Sequence, residues 1–206
     1  MIAIVDYGVG NLFSLKSSLE RIGADAFVTG DAEQLRRADK IILPGVGAFR
    51  DAIAKLRANG LDRVVISEAR AGKPLLGICL GMQMLFDRST EYGEHTGLGL
   101  IPGSVEALKP DLPADLKVPH IGWNALKKIG GHPLLKNVQD GDCVYFVHSY
   151  YAKNCAESTI ATAEYGVDVT AAVARENVMG TQFHPEKSGN VGLGILRAFC
   201  ETEGTA

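Results

Sequence analysis

The sequence is organised around Leu75-Leu-Gly-Ile-Cys-Leu-Gly-Met-Gln-Met84. The part before Cys79 is a short apolar run that predicts a buried strand, and the part after it repeats apolar side chains at helical spacing. Gly77 and Gly81 stand two residues to either side of the cysteine. Glycine–x–cysteine–x–glycine between a strand and a helix is typical of a nucleophile elbow, a sharp turn that exposes the nucleophile. The unpaired N–H groups at the helix N-terminus would favour the thiolate.

A base for this cysteine is offered far downstream, in Gln182-Phe-His-Pro-Glu-Lys187. Thiol catalysis needs an imidazole to take the thiol proton and a third group to orient that imidazole. If the segment is extended, side chains two residues apart point the same way, so Glu186 lies beside His184. The sequence therefore predicts a catalytic triad of Cys79, His184 and Glu186. The alternative for Cys79 taken alone is a buried structural cysteine.

A second glycine-rich turn follows an apolar run upstream and reads Pro44-Gly-Val-Gly-Ala-Phe49. In a parallel sheet this turn and Cys79 would end neighbouring strands at the same edge. Attack of a thiolate on an amide creates an oxyanion, and the backbone N–H groups of Leu80, Val46 and Gly47 are predicted to bind it. Taken alone, the turn could equally be an ordinary connector.

Strand and helix patterns alternate through the first half of the chain, beginning with a strand at Ile2–Tyr7 and a helix that Asn11 caps and Gly23 ends. This alternation predicts an α/β fold, an open and mostly parallel sheet with helices on both faces. Beyond about Gly97 the pattern predicts a smaller, partly antiparallel portion with strands at Leu98–Ile101, Val105–Leu108, Val118–Ile121 and Cys143–Val147.

The C-terminal region is predicted to hold a hairpin and a last helix. The hairpin joins Thr170–Ala174 to Val178–Phe183 through a turn at Arg175-Glu-Asn177. The helix places Leu193, Leu196 and Phe199 on one face.

Composition limits the classes of protein that fit. The chain has 206 residues, 46% of them hydrophobic and 22% charged, which fits a single globular domain over 1–206. A net charge of −3 gives no electrostatic reason to expect binding to nucleic acid or to an anionic membrane. Four cysteines without a Cys-x-x-Cys pair, and no apparent targeting segment, favour a reducing cytoplasm. We expect no metal and no cofactor.

The motifs resemble those of a known family. Gly77-Ile-Cys-Leu-Gly-Met-Gln83 together with His184-Pro-Glu186 is similar to the class I (triad-type) glutamine amidotransferases. One branch is especially similar, the glutaminase subunits of imidazole glycerol phosphate synthase from histidine biosynthesis, through Tyr7-Gly-Val-Gly-Asn-Leu12, Pro44-Gly-Val-Gly-Ala-Phe49, His120-Ile-Gly-Trp-Asn124 and His148-Ser-Tyr150. The resemblance runs from Ile2 to about Phe199.

The resemblance implies a flavodoxin-like fold and a specific chemistry. L-Glutamine would be hydrolysed to glutamate and ammonia through a cysteine thioester, and the ammonia would pass to a (β/α)8-barrel cyclase subunit in a heterodimer. That partner would make imidazole glycerol phosphate and an aminoimidazole carboxamide ribonucleotide. The residues expected to contact glutamine are Gly45, Gln83, Ser149 and Tyr150. The residues expected near the partner or the ammonia passage are Asn11, Trp123, Tyr145 and Lys187.

Two other classes of function remain open at this stage. A stand-alone thiol hydrolase acting on a γ-glutamyl or peptide bond would share triad and fold, and a flavodoxin-like binding module would use Cys79 only for packing. The histidine–proline–glutamate motif disfavours the binding module, and the lack of an acceptor domain favours a subunit. Amidotransferases of anthranilate, aminodeoxychorismate and pyridoxal phosphate synthesis share the triad, but the motifs at Pro44 and His120 favour the histidine branch.

Overall fold

A computed structural model describes residues 1–204; the last two residues of the predicted domain, 205 and 206, lie outside the described residues. The strands, in chain order, are β1 Ile2–Val5, β2 Ala26–Thr29, β3 Lys40–Gly45, β4 Leu75–Cys79, β5 Phe86–Ser89, β6 His95–Thr96, β7 Ile101–Ala107, β8 His120–Ala125, β9 Lys127–Lys128, β10 Cys143–His148, β11 Tyr150–Lys153, β12 Thr159–Glu164, β13 Asp168–Arg175 and β14 Val178–Thr181. The α-helices are α1 Leu12–Arg21, α2 Ala32–Arg37, α3 Phe49–Ala58, α4 Leu61–Arg70, α5 Leu80–Met84 and α6 Gly189–Cys200.

The main sheet has eight strands in the order β2-β1-β3-β4-β14-β13-β12-β9. The first five are parallel to one another, and β13, β12 and β9 continue the sheet with antiparallel pairing. A two-stranded sheet pairs β10 with β8, and a four-stranded sheet has the order β11-β7-β5-β6. The α/β prediction, with a mostly parallel sheet and a smaller antiparallel portion, is confirmed. One pair in the four-stranded sheet, β5 with β7, is parallel.

Helices cover both faces of the main sheet, as predicted, and each face has its own apolar core. On one face, α2, α3 and α4 pack through residues such as Leu35, Leu56 and Val65. On the other face, α1 and α6 pack through residues such as Leu19 and Phe199. Two buried faces explain why the central strands read as nearly continuous apolar runs rather than as alternating ones.

Local chemistry sets the ends of the first helix. The side chain of Asn11 accepts a hydrogen bond from Ser14 N at 3.4 Å, which satisfies one of the unpaired donors of α1. Just beyond its end, Gly23 adopts a φ of +78°, a conformation that glycine reaches without strain. The predicted cap and stop are therefore both found. The preceding strand, predicted to reach Tyr7, ends at Val5.

Two further strand boundaries and one detail of the last helix differ from the prediction. Leu98–Ile101 is not a separate strand, because the backbone N–H groups of Leu98 and Leu100 bond to the carbonyls of Met84 and Leu85 instead of to a neighbouring strand. Val118–Ile121 begins as strand only at 120, since Pro119 has no N–H to donate to a ladder. In the last helix Leu193 is half-buried, and Ile195 takes its place among the fully buried side chains.

The predicted hairpin is found, although its second strand ends at Thr181 rather than at Phe183. Strand β13 pairs antiparallel with β14, and Arg175 faces Val178 across a turn of Glu176 and Asn177. Glu176 has a φ of +54°, which the tight turn requires. Strand β14 then lies next to β4, so the chain that follows the hairpin is brought to the end of β4 where Cys79 lies.

Candidate active site

Cys79 stands on a sharp strand-to-helix turn, with φ of 54° and ψ of −110°. A Cβ at Gly77 would lie 2.7 Å from Gly81 O, and a Cβ at Gly81 would lie only 1.8 Å from Leu43 O. The turn therefore closes against itself and against β3, so both positions need glycine. Helix α5 is only five residues long, which confines its electrostatic effect on the thiol to the N–H groups of its first turn.

The histidine and the glutamate of the predicted triad lie together beside this turn. His184 Nδ1 is 2.8 Å from Glu186 Oε1, and both side chains are 3% exposed. The explanation from an extended backbone was wrong, because Pro185–Lys187 form a turn of 3-10 helix. The carboxylate reaches back to the imidazole through this turn. Glu186 also lines a small cavity of about 10 Å³ together with Asn11.

The pKa of His184 reflects its burial and its two neighbours, Cys79 and Glu186. Burial by itself lowers this pKa, but hydrogen bonds to Cys79 and Glu186, together with their negative charges, outweigh burial and raise the pKa to about 9. The imidazolium form is therefore favoured at neutral pH. An imidazolium in contact with Cys79 is the counter-ion that a thiolate needs.

The largest set of predicted site residues meets in one cavity of about 400 Å³ above Cys79. The predicted residues that line it are Val46, Gly47, Cys79, Leu80, Gln83, Ser149, Tyr150, His184 and Lys187. Unpredicted side chains complete the wall, from Glu91, Pro119, Val147 and His148. The volume suits a small polar substrate, and its wall combines a nucleophile, a base and several polar groups.

Gly45 is the predicted glutamine contact that the structure places elsewhere. It lies at the end of β3, does not line the 400 Å³ cavity, and a Cβ there would approach Gly81 N to 2.7 Å. Close packing of β3 against α5 explains this glycine. Gly47 differs, because it lines the cavity, has a φ of +90° and has no atom within 4 Å of the place a Cβ would take.

Glu91 was missed by the sequence analysis. It is 9% exposed, and its Oε2 accepts a hydrogen bond from Phe49 N at 2.6 Å, so it caps α3, whose own N-cap residue Ala48 offers no side-chain acceptor. The same side chain lines the cavity and brings a carboxylate to it. The contact joins residues 42 positions apart. No local motif marks it.

A second missed residue is Gln182, which is fully buried beside the nucleophile. Its Nε2 lies 3.7 Å from Cys79 Sγ. Gln83 Nε2 in turn lies 3.0 Å from Gln182 Oε1 and 3.0 Å from Tyr150 O. No strand periodicity marks this position, because β14 ends at Thr181, one residue before Gln182.

A buried pair of histidines, His120 and His148, lies beside the cavity, and His148 is part of its wall. His148 Nδ1 is 2.9 Å from Tyr150 O, and its Nε2 is 3.0 Å from His120 Nδ1. Burial lowers the pKa of His120 to about 4, and burial together with the neighbouring His120 lowers the pKa of His148 to about 3. Both imidazoles are therefore neutral at physiological pH, and they support the Ser149–Tyr150 segment.

Of the four residues predicted near a partner, Lys187 lines the large cavity and the others do not. Lys187 Nζ is 6.0 Å from the centre of the Tyr145 ring, and that ring is 6.2 Å from the ring of Trp123. Trp123 is 58% exposed. The side chain of Asn11 accepts the capping hydrogen bond of α1, and Asn11 lines the small cavity rather than the large one. Four exposed apolar side chains, which we call the apolar rim, are Phe13, Val46, Ile121 and Trp123, and of these Val46 lines the cavity.

Among residues 1–204, no group of three or more histidine, cysteine, aspartate or glutamate side chains could hold a metal ion. Over the same residues, no helix is both long and apolar enough to cross a bilayer. All four cysteines are free thiols.

A thiol on an elbow turn, beside a histidine–carboxylate pair at the end of a parallel sheet, defines a hydrolase or transferase of the triad type. Solved structures share the fold: "Crystal structure of glutamine amidotransferase" covers 98% of both chains with a TM-score of 0.76 and 22% identity. "Structure of PurLQS from Thermotoga maritima" covers 96% of both with a TM-score of 0.75 and 20% identity. At these identities the likeness concerns the fold alone.

Sequence comparison is more specific. The family model "Glutamine amidotransferase class-I" matches residues 3–201. The relatives named "Imidazole glycerol phosphate synthase subunit HisH" include one from Bacillus licheniformis, 54% identical over 97% of this chain and 95% of the relative. Another, from Syntrophotalea carbinolica, is 48% identical over 97% of this chain and 98% of the relative. The chain belongs to the class I glutamine amidotransferases and, among them, to the HisH family. It is an enzyme of the glutaminase type.

Proposed function

We propose that this chain hydrolyses L-glutamine in the cavity above Cys79 and supplies the ammonia to a cyclase partner, as the glutaminase subunit of imidazole glycerol phosphate synthase in histidine biosynthesis. The observation that carries the proposal is that Cys79 and His184 meet at one cavity while Glu186 holds His184 from behind, in a chain about half identical to HisH subunits over nearly its full length.

The chemistry follows from the charge states of the triad. The Cys79 thiolate attacks the side-chain amide carbon of glutamine, and the carbonyl oxygen becomes an oxyanion. Backbone N–H groups of Leu80 and of the Val46–Gly47 turn are the proposed donors to that oxyanion. Protonated His184 gives its proton to the amide nitrogen, the C–N bond breaks, and ammonia leaves. A water molecule deprotonated by His184 then hydrolyses the thioester to glutamate and free thiol.

The substrate's α-ammonium group needs an anionic partner, and Glu91 supports that role. It contributes a carboxylate to the cavity wall, held in place by its hydrogen bond to Phe49 N. The backbone of Ser149 and Tyr150, which lines the same wall, is proposed to hold the rest of the amino-acid head group. Gln83 lines the wall with only its oxygen uncommitted, because its NH₂ group already donates to Tyr150 O and Gln182 Oε1.

The partner is proposed to dock on the apolar rim. Ammonia released into water would be protonated and lost, so delivery requires a partner seated over the cavity. The rim supports this because large apolar side chains such as Trp123 and Val46 are 58% and 41% exposed there. Trp123, Tyr145 and Lys187 are proposed to surround the passage. We further propose a (β/α)8-barrel fold for the cyclase, a heterodimeric assembly, and a cytoplasmic location, which four free thiols support.

The first test uses the complex reconstituted with a HisH-type cyclase partner. Cys79→Ala should abolish glutamine-dependent product formation, while ammonium salt should still drive the cyclase, because only the thiol is lost. Cys143→Ala is the matched control, since that cysteine is exposed and outside the cavity. Retained glutamine turnover in the Cys79 variant would remove this thiol from the mechanism.

A second test asks whether the lone chain is held inactive. Gly47 lines the cavity with a positive φ and free space around it, so the Val46–Gly47 peptide can rotate at low cost. A missing oxyanion donor lowers the rate by about 10²–10³. We therefore expect glutamate release by the lone chain to be lower than in the complex by roughly that factor. Equal rates would favour the stand-alone hydrolase.

A further inference from the structure

Gln182 occupies a position that the reaction described above does not use. It is fully buried, does not line the substrate cavity, and directs a side-chain nitrogen at Cys79 Sγ from 3.7 Å. A buried amide is expected to satisfy all its polar groups, so each contact of this side chain restricts the orientation of the others.

The orientation of the amide follows from one backbone carbonyl. Tyr150 O can only accept hydrogen bonds, so the Gln83 atom 3.0 Å away must be its NH₂ group. The second N–H of that group donates to Gln182 at 3.0 Å, which requires the oxygen of Gln182 there. The NH₂ group of Gln182 must therefore face the sulfur. Neutral His148 also holds this carbonyl in place, because its Nδ1 is 2.9 Å from Tyr150 O.

We propose that Gln182 is a further catalytic residue, whose amide N–H stabilises the Cys79 thiolate, and that Gln83 is the positioning residue that holds this amide in the donating orientation. The proposal rests on the proposed function of the site. The amide N–H of Gln182 would add a second donor to the sulfur, beside the imidazole of His184. The sulfur also lies 4.0 Å from Val147 O, an acceptor that favours the protonated thiol.

Other ionisable groups also influence this thiol, and all of them are kept in the variants that test the proposal. His184 contacts the sulfur, Glu186 stands behind His184, and Tyr7 lies near enough that the Cys79 charge contributes to raising the tyrosine's pKa, after burial. The cavity wall adds Glu91, His148, Tyr150 and Lys187. A neutral-to-neutral substitution at Gln182 leaves all these charges in place, so a change in thiol ionisation reports the lost donor.

The test measures the rate of iodoacetamide alkylation of Cys79 against pH in the full chain, resolved by mass spectrometry from the exposed Cys143. We expect Gln182→Leu to move the midpoint of the Cys79 profile upward by about one pH unit. Gln83→Leu should move it in the same direction by less. Gln34→Leu, the same change at an exposed site of α2, should leave it unchanged.

Turnover gives a second readout. Because Gln182 touches the sulfur but not the cavity, Gln182→Leu should lower kcat for glutamine by about tenfold with KM unchanged, whereas Gln83→Leu should alter both. If the leucine variant does not fold, Gln182→Met repeats both measurements with an unbranched side chain. An unchanged alkylation midpoint in a folded Gln182 variant would overturn the proposal. Alkylation needs no glutamine, so a failure of the proposed glutaminase function would be seen separately.

Discussion

Gly81→Ala tests whether the elbow turn is held by backbone packing. The new Cβ would lie 1.8 Å from Leu43 O and 2.8 Å from Leu43 C. Moving the first contact from 1.8 Å to 3.0 Å, still closer than ordinary packing, requires a shift of about 1.2 Å. Both sides of the contact are backbone, because Gly81 is in α5 and Leu43 is in β3, which pairs with β4. Neither side can move by a simple rotamer change.

Two effects of the substitution oppose each other. Forcing a methyl group into a packed site costs about 1–3 kcal/mol, and a backbone clash belongs at the upper end of that range. Alanine gains about 1 kcal/mol over glycine inside a helix. The clash wins, and we expect a net loss of about 2 kcal/mol, which for a chain of this length lowers Tm by roughly 4–8 °C. A displacement of about 1 Å at the nucleophile should also lower kcat by about a hundredfold.

The assays are thermal unfolding followed by circular dichroism and glutamate release by the complex. Gly131→Ala is the matched control, because that glycine has no positive φ and no atom within 4 Å of an added Cβ. A Tm for the Gly81 variant within about 2 °C of the wild-type value, together with full turnover, would refute the packing explanation of the elbow.

Three further outcomes are expected. His184→Ala should lower kcat by at least tenfold more than Glu186→Ala, because the latter keeps a base; equal losses would show that the roles are mis-assigned. The free energy of unfolding should decrease as the pH is lowered from about 6.5 to about 4. Over that range His120 and His148 take up protons only in the unfolded chain, because burial holds their folded pKa values at about 4 and about 3. The pKa of His184 is raised to about 9, so its contribution to the free energy of unfolding is complete below pH 6.5. That contribution is lost as the pH rises through 9, which is outside the acid window. Urea titrations should show a smaller acid effect in His120→Phe, and an identical effect would contradict this origin. Trp123→Ala should weaken partner binding by about tenfold or more without changing Cys79 alkylation, as calorimetry of the complex can measure.

The local features of the fold were predictable from the sequence. The cap at Asn11, the turn after Arg175 and the glycines around Cys79 depend on residues close together in the chain, whose preferences act before any tertiary contact forms. The α/β architecture was predictable for a related reason, since alternating strand and helix periods leave few ways to bury both faces of a sheet. The boundaries at Leu98 and Val118 were missed because hydrogen bonding to distant backbone, and a proline without a donor, decided them.

The amino-acid order by itself thus determined where the nucleophile turn, the base and the glycine-rich turn stand along the chain. Only the tertiary structure decided what surrounds the thiol. Glu91 reaches α3 across 42 positions and Gln182 reaches Cys79 across 103, contacts that no periodicity encodes. The physical reason is that a repeating pattern tells which way a side chain faces within its own strand or helix. Which buried donors and acceptors then meet is set by how those elements pack, because each must find a partner once water is excluded.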